Sequence, residues 1–326
     1  MSCRRLVLLG LLALSALPAS AQAVPACPGP PVQTRILASG QGTLESAIVD
    51  AKGRLIYTNG STIFRLDAPG AQPKAIASVS SPGGIVMLHD GTLVVGQGDS
   101  FQNGLQGDYT HPASLLRLDP DTGATSVYAT GLAMANGVAL APDGTIYGTN
   151  DSGQDVDRVG PNGQTQPGWA KVLSGNGAVV DATGRYLYVA QTFQPPAIQR
   201  IDLSDPSKIT TYANSLDPTD LIAGLDGMTR DSAGRLYVAA NGGGQVWRVD
   251  PSANGSTGTP CLLLGGLARF PDGPSMVVQG RDVEDGDSPF PAANLYVVTF
   301  GGDVIELRDA LPSGAHTNMC SCAGRT

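Results

Sequence analysis

The chain has 326 residues, of which 43 are glycine and 24 are proline. Only 15% of the residues are charged and 41% are hydrophobic, a balance that excludes an intrinsically disordered chain. Glycine and proline recur every few residues, and each disfavours the interior of a helix. The composition therefore predicts many short strands joined by turns, with no amphipathic helices between them.

Residues 1–23 have the features of a secretory signal peptide. Arg4-Arg5 forms a positive start, Leu6 to Ala16 is apolar, and Ala21-Gln22-Ala23 is a small-x-small cleavage pattern. The apolar stretch is too short to span a bilayer, and no later stretch is long enough. We therefore predict an exported protein, periplasmic or secreted, with a single domain over residues 24–326 and no membrane span.

Removal of the first segment leaves 18 basic and 28 acidic residues, which is a net charge of −10. This balance disfavours nucleic acid as a partner, because binding to phosphates needs concentrated positive charge. The expected partner is a small-molecule substrate, and the sequence does not indicate an oligomeric state.

Four cysteines remain after cleavage: Cys27, Cys261, Cys320 and Cys322. An even number in an exported chain predicts two disulfide bonds, for which three pairings exist. Cys320 and Cys322 are too close in sequence to bridge without strain, so we expect Cys27 and Cys261 to pair separately with them. The first and last segments of the mature chain would then be neighbours. The alternative, a metal site at the C-terminal pair, lacks a second Cys or His pair nearby.

A short motif recurs along the chain, in which a turn ending in glycine is followed by Leu or Ile and an aromatic or β-branched residue. The copies are Gly53–Tyr57, Gly91–Val95, Gly144–Tyr147, Gly184–Tyr188, Gly234–Val238 and, without the glycine, Asn294–Val298. Further short strands flank each copy, and four antiparallel strands every 40–50 residues or so are typical of a β-propeller blade. The sequence therefore predicts an all-β fold, a six-bladed β-propeller with four-stranded antiparallel blades.

Four copies carry an oxygen-bearing side chain eight residues before the turn glycine. These residues are Glu45, Asn136, Asn176 and Asp226. They open the innermost strand of their blades, so the pseudo-symmetry of a propeller should bring them together at one end of the central channel. Two carboxylates and two amide oxygens suit Ca²⁺ or Mg²⁺, and ligands from separate loops favour Ca²⁺. The alternative is that Asn-Gly and Asp-Gly only form turns here.

These segments resemble the senescence marker protein/regucalcin–gluconolactonase family of calcium-dependent propeller hydrolases. The strongest match is Gly224-Leu225-Asp226-Gly227-Met228, and Ala135–Gly144 and Gly175-Asn176-Gly177 resemble the two asparagine segments of the family. Glu45 matches its first-blade glutamate, although Ser46-Ala47 replaces the usual Gly-Pro. The resemblance implies a central divalent cation, usually calcium, and hydrolysis of a lactone or related ester. It also implies that Asp226 is the catalytic base or nucleophile.

The connection after the second strand of each blade should return to the metal end of the channel and form the rim of a pocket. These connections include Asn150-Asp151, Gln191–Pro196 and Asn241–Gly244. The longest is a loop from Gln97 to Ala113, and long loops in compact domains are usually functional. We predict substrate contacts from Asp99, Phe101, Asn103, Tyr109, His111, Phe193 and Asp272. Three aspartates also lie close together in the sequence: Asp151, Asp155 and Asp157. They lack the twelve-residue pattern of an EF-hand, and we interpret them as charged surface.

Three functions from different classes follow from these features. The first is a calcium-dependent lactonase, and the second is a metal-dependent aryl esterase or phosphotriesterase with the same oxygen-ligated site. The third is a propeller that binds a ligand or protein without catalysis, since a fold and a motif do not establish activity.

Overall fold

A computed structural model describes residues 25–193, 196–214, 224–284 and 286–312. The predicted signal peptide and the two C-terminal cysteines lie outside the described residues.

The described part of the chain forms 24 strands and one helix. In chain order the strands are β1 (Gln33–Ala38), β2 (Ala47–Val49), β3 (Leu55–Asn59), β4 (Thr62–Leu66), β5 (Lys74–Ser78), β6 (Pro82–Met87), β7 (Leu93–Gln97), β8 (Ala113–Leu118), β9 (Thr125–Leu132), β10 (Val138–Leu140), β11 (Ile146–Thr149), β12 (Asp155–Val159), β13 (Thr165–Lys171), β14 (Gly175–Val180), β15 (Tyr186–Gln191), β16 (Ala197–Asp202), β17 (Asp205–Asn214), β18 (Leu225–Arg230), β19 (Leu236–Ala240), β20 (Gln245–Pro251), β21 (Gly258–Leu264), β22 (Pro274–Gln279), β23 (Leu295–Thr299) and β24 (Val304–Arg308). The helix, α1, covers Phe101–Thr110.

The strands form six antiparallel sheets of four strands each. Blades 1 to 5 each use four consecutive strands, from β2–β5 to β18–β21, whereas β1 pairs with β24 and completes blade 6. The first strands of the blades contact one another in a closed ring, in which β22 also contacts β2. The predicted six-bladed propeller is therefore confirmed.

The hydrophobic core is divided into layers between neighbouring blades. One layer joins Ile198 and Tyr212 of blade 4 to Met228 and Trp247 of blade 5, and all four side chains are almost fully buried. Burial of such a side chain stabilises the fold by roughly 1.5–3 kcal/mol. Because every blade buries its apolar face against the next one, the closed ring holds the axial ends of the inner strands in place.

The predicted pairing of the cysteines is wrong, because Cys27 forms a disulfide bond with Cys261. The backbone on either side of Cys27 lies along the outer strand β21: the Cys27 N–H donates to the Leu262 carbonyl (2.9 Å), and the Leu262 N–H donates to the Pro25 carbonyl (2.7 Å). This pairing places the two sulfur atoms side by side. The two ends of the propeller are neighbours through the pairing of β1 with β24.

The connection between β7 and β8 is also different from the predicted loop, because it contains α1. Ser100 caps the helix by accepting a hydrogen bond from the Asn103 N–H, and Gly104 and Gly107 are buried on the side that faces blade 3. A β-carbon on Gly107 would lie 2.1 Å from the Ala133 carbonyl oxygen. The two glycines lower helix propensity but allow this close approach. In the described residues, no helix has the length and apolar character needed to cross a membrane.

Candidate functional site

The structure brings the four predicted metal ligands to one cavity. Glu45, Asn136, Asn176 and Asp226 all line the axial channel, whose cavity has a volume of about 260 Å³. The last three are buried, with 4–7% of their surface exposed. They belong to four blades, and each lies at or just before the start of an inner strand. We call this end of the channel the mouth.

The glycines that follow three of these residues are required by close approach between blades. A β-carbon on Gly137 would lie 2.2 Å from the Asn176 carbonyl oxygen, and one on Gly177 would lie 2.4 Å from the Asp226 carbonyl oxygen. Neither glycine has a positive φ, in contrast to the turn glycines such as Gly144 and Gly184. The repeated Asn-Gly dipeptides therefore do not act as turns here. They let the backbones of neighbouring blades touch at the axis and hold the polar side chains close together.

Two further carboxylates interact electrostatically with this set. Burial raises the pKa of Glu45 well above its ordinary value, and the negative charges of Asp99, Asp226 and Asp151 raise it further. Burial and then the charge of Asp151 raise the pKa of Asp99 to about 8, although a hydrogen bond from Asn136 acts in the opposite direction. The mouth thus gathers four carboxyl groups that destabilise one another's ionised forms.

Asp226 lies at the centre of this electrostatic network. Burial, followed by the charges of Asp151 and Asp99, raises its pKa well above the ordinary value. Hydrogen bonds from the Gly227 backbone N–H and the Asn176 side chain oppose that rise. Asp226 is therefore a carboxyl group whose ionisation depends on what else occupies the mouth, as is common at functional sites.

The donor set fits a hard divalent cation in its chemistry. Asn136 donates from Nδ2 to Asp99 Oδ1 (3.3 Å), whereas its buried Oδ1 atom has no hydrogen-bond partner in the structure. An unpartnered buried amide oxygen beside several carboxylates is a suitable ligand for Ca²⁺. Within the described ranges, no three Asp, Glu, His or Cys side chains form a metal-binding group by themselves. A cation here would therefore also need the asparagine oxygens.

Asp151 belongs to this site, in the connection Asn150-Asp151 that was predicted to form part of the rim. Asp99 and Asp151 each lie two residues after the second strand of their blade, β7 and β11. The same position in blade 4 is Phe193, two residues after β15. All three residues belong to connections that the sequence predicts to form the rim of the pocket.

The other predicted contact residues occupy different places. Phe101 and Tyr109 on α1 are 70% and 85% exposed, and Asn103 is half-buried and donates to the Gly98 carbonyl (2.9 Å). His111 ends α1 with a left-handed backbone, and its positive charge acts to lower the pKa of Asp157.

Asp272 does not line the channel. It is exposed and borders a separate cavity with Leu267, Thr299 and Asp303.

The interpretation of Asp151, Asp155 and Asp157 as charged surface is wrong. Asp155 and Asp157 are almost fully buried in β12, and Asp151 is half-buried beside the mouth. Asp155 forms an ion pair with Lys171, and Asp157 accepts hydrogen bonds from the backbone N–H groups of Ala133 (2.6 Å) and Gly168 (2.8 Å). The three aspartates lie close together in the sequence, which suggested a charged surface. In the structure, residues of neighbouring strands and loops provide partners for the buried Asp155 and Asp157.

Comparison with solved structures supports the fold over most of the chain. A gluconolactonase from Xanthomonas campestris is 15% identical, with a TM-score of 0.63 over 88% of this chain and 98% of that one. The calcium-binding protein regucalcin from Agrobacterium tumefaciens is 16% identical, with a TM-score of 0.61 over 85% of this chain and 94% of that one.

The same architecture also occurs in a protein with different chemistry. A PQQ-bound aldose sugar dehydrogenase from Streptomyces coelicolor is 16% identical, with a TM-score of 0.61 over 86% of this chain and 99% of that one. At these identities the likeness shows the fold alone, so the residues of the mouth must carry the functional argument.

A search with the sequence found no match among curated proteins. A family model for the SMP-30/Gluconolactonase/LRE-like region matches residues 147–259, a range that includes Asp151, Asn176 and Asp226. The predicted resemblance is therefore confirmed over residues 147–259, which match the model of the SMP-30/Gluconolactonase/LRE-like region.

Proposed function

We propose that this protein is an exported, calcium-dependent hydrolase that opens a small lactone. The observation that carries the proposal is the convergence of Glu45, Asn136, Asn176 and Asp226 in one channel, with the buried Asn136 Oδ1 atom left without a donor. The family match over residues 147–259 and the gluconolactonase fold support the same reaction class.

The four residues that line the mouth would hold the cation. Bound calcium would polarise the lactone carbonyl as a Lewis acid and favour the ionised form of Asp226. Burial and neighbouring negative charges raise the pKa values of Glu45 and Asp226, and a divalent cation would oppose both causes. The chemistry of the donor set therefore fits the proposed ion.

Asp226 would act as a general base in the simplest mechanism. Its carboxylate removes a proton from water, while the water oxygen forms a bond to the carbonyl carbon of the lactone. The ring C–O bond then breaks, and the ring oxygen takes up a proton to give the hydroxy acid. Asn176, which hydrogen-bonds Asp226, would hold the carboxylate in place.

Direct attack by the Asp226 carboxylate would give the same product through a covalent intermediate. The intermediate would be an anhydride between Asp226 and the opened lactone, which water hydrolyses at one of its two carbonyl carbons. Label in the Asp226 side chain after a single turnover in isotopically labelled water would show the covalent route, because direct attack by water never labels the protein.

The decisive experiment is a panel of lactones, aryl esters and phosphotriesters assayed with calcium and after EDTA treatment. We expect lactone hydrolysis that EDTA abolishes and calcium restores. Hydrolysis of phenyl acetate or paraoxon in preference to every lactone would instead support the aryl esterase or phosphotriesterase alternative. Absence of any cation-dependent turnover would favour a binding protein.

Export is part of the proposal. The disulfide bond between Cys27 and Cys261 supports it, because such bonds persist mainly in oxidising compartments. The test is the intact mass of the protein recovered from periplasmic and culture fractions. A mature chain that begins after residue 23 is expected, and a chain retaining residues 1–23 in the cytoplasm would contradict export.

A further inference from the structure

Exposed apolar side chains are concentrated on the face of the propeller that carries the mouth. Eight large hydrophobic residues of the described chain are strongly exposed. Those in connections at the mouth end of the blades are Phe101, Leu105, Tyr109, Leu173, Phe193 and Phe270. The other two, Ile36 and Val127, lie on the outer strands β1 and β9. Single exposed apolar residues are ordinary, but a grouping around one opening indicates a binding surface.

Phe101 is attached directly to the acidic rim. It follows Asp99 by two residues and opens α1, immediately after the capping residue Ser100. Asn103 Nδ2 donates to the Gly98 carbonyl (2.9 Å) and so ties the first turn of the helix to the end of β7. The backbone that carries Phe101 is therefore held next to Asp99.

Phe193 lies two blades further around the mouth, in blade 4, at the rim position that Asp99 and Asp151 occupy in blades 2 and 3. Its N–H donates to Ser174 Oγ (3.0 Å), two residues before Asn176. The neighbouring Thr192 Oγ1 donates to the Leu225 carbonyl (2.9 Å), next to Asp226. Phe193 is thus held between two of the candidate ligand residues.

The apolar surface continues outward along α1. Phe101, Leu105 and Tyr109 are four residues apart and form one stripe, which extends about 12 Å along the helix axis. On an adjoining side of the helix, Gly104 and Gly107 pack against blade 3, so the stripe is held in a fixed position.

We propose that the substrate is a lactone with an alkyl substituent, which packs on Phe101, Phe193 and the stripe of α1 while the ring enters the mouth. This inference rests on the proposed lactonase function and names its substrate class. A polyhydroxylated sugar lactone would place its hydroxyl groups against these apolar side chains without hydrogen-bond partners, which disfavours its binding.

The test is a homologous series of γ-lactones in calcium buffer: γ-butyrolactone, γ-hexalactone, γ-nonalactone and γ-dodecalactone, with glucono-δ-lactone for comparison. Full burial of a methylene group is worth about fourfold in affinity, so packing on one side should raise kcat/KM by about twofold per carbon. A flat or falling series, or preference for glucono-δ-lactone, would overturn the inference while leaving the lactonase proposal intact.

The matching γ-lactams provide a binding measurement that does not depend on turnover, because their ring amide resists hydrolysis. Calorimetry should show tighter binding as the alkyl tail lengthens. If no lactone is hydrolysed but the lactams show this trend, the lactonase function fails and the apolar site stands. If the lactams bind without any dependence on tail length, the apolar site is refuted.

Substitutions locate the effect on the protein. Phe101→Gln and Phe193→Gln should each lower the ratio of kcat/KM for γ-dodecalactone to that for γ-butyrolactone by about fivefold or more. The matched controls are Val127→Gln and Ile36→Gln, since these residues are 67% and 62% exposed but lie away from the mouth. An unchanged ratio in the phenylalanine variants, or an equal fall in the controls, would contradict the proposed contact.

Discussion

The two ends of strand β18 carry two buried aspartates with different surroundings. Asp226 lies at the mouth end and is 4% exposed, whereas Asp231 follows the other end and is fully buried. Asp231 forms an ion pair with Arg235 (2.9 Å) and accepts hydrogen bonds from the backbone N–H groups of Ala233 and Arg235, each at 2.9 Å. Its hydroxyl partner is Tyr237, at 3.1 Å.

Asp226, in contrast, is surrounded by other carboxyl groups, which raise its pKa together with burial. The two residues are equally inaccessible, so burial does not distinguish them. The two residues differ in their partners. The turn at Asp231 supplies a positive charge and hydrogen-bond donors, which a buried carboxylate needs. The mouth supplies no positive charge to Asp226 in the described structure, so a bound cation would have to provide it.

The largest effect is expected from Asp226→Asn. Loss of the proposed base or nucleophile should lower kcat/KM for lactones by about 10³-fold or more, because the amide cannot accept the proton or attack. The same change removes one of the repelling carboxyl groups, so the calcium-free variant should unfold at the same or a higher temperature. Lactonase assays and thermal unfolding in EDTA measure both effects.

The matched control for this substitution is Asp205→Asn, on the outer strand β17 and away from the channel. It should retain wild-type kcat/KM. Retained activity in Asp226→Asn would show that Asp226 is neither the base nor the nucleophile.

Asp231→Asn should show the reverse behaviour. It breaks a buried ion pair and leaves the Arg235 guanidinium without its partner, at a cost of about 3 kcal/mol in the free energy of unfolding. Denaturant titration measures the loss, and kcat per folded molecule should stay near the wild-type value at low temperature. A variant that unfolds normally but has lost its activity would contradict a purely structural role.

Much of the fold could be predicted because a propeller repeats one unit. The turn glycines recur with the strand pattern, so six copies could be counted without knowledge of any long-range contact. Closure of the ring by β1 and the bond between Cys27 and Cys261 could not be predicted, because both depend on where the N-terminal segment lies against distant strands.

The site was predictable to the same extent. Glu45, Asn136, Asn176 and Asp226 share one register, which the structure places in one channel. The connections after the second strands were also predicted to form the rim, but Asp151 was in addition interpreted as surface charge because Asp155 and Asp157 follow it closely in the sequence. α1 was hidden because Gly104 and Gly107 lower helix propensity and are explained only by their contact with blade 3.

Asp157 provides an intermediate case between Asp226 and Asp231. It accepts two backbone N–H hydrogen bonds, yet burial raises its pKa to about 6. Because the folded state holds this proton more tightly than the unfolded state, the stabilisation is complete below about pH 4 and is lost as the pH rises through about 6.

The expected size of that loss is about 2 kcal/mol in the free energy of unfolding between pH 4 and pH 7. It is measured as the difference between the wild-type protein and Asp157→Asn in EDTA, which cancels the titration of all other groups. A difference that does not change with pH would show that the two backbone donors already keep Asp157 ionised.

The smallest effect is expected from Asn136→Ala, which tests whether the unpartnered amide oxygen at the mouth is a ligand. Its removal should weaken calcium binding by about tenfold, since even indirect partners of metal ions contribute that much. Calorimetric titration with calcium measures the change, and Asn162→Ala, an exposed asparagine in the turn after β12, is the matched control. Equal affinities in both variants would mean that the Asn136 oxygen is not a ligand.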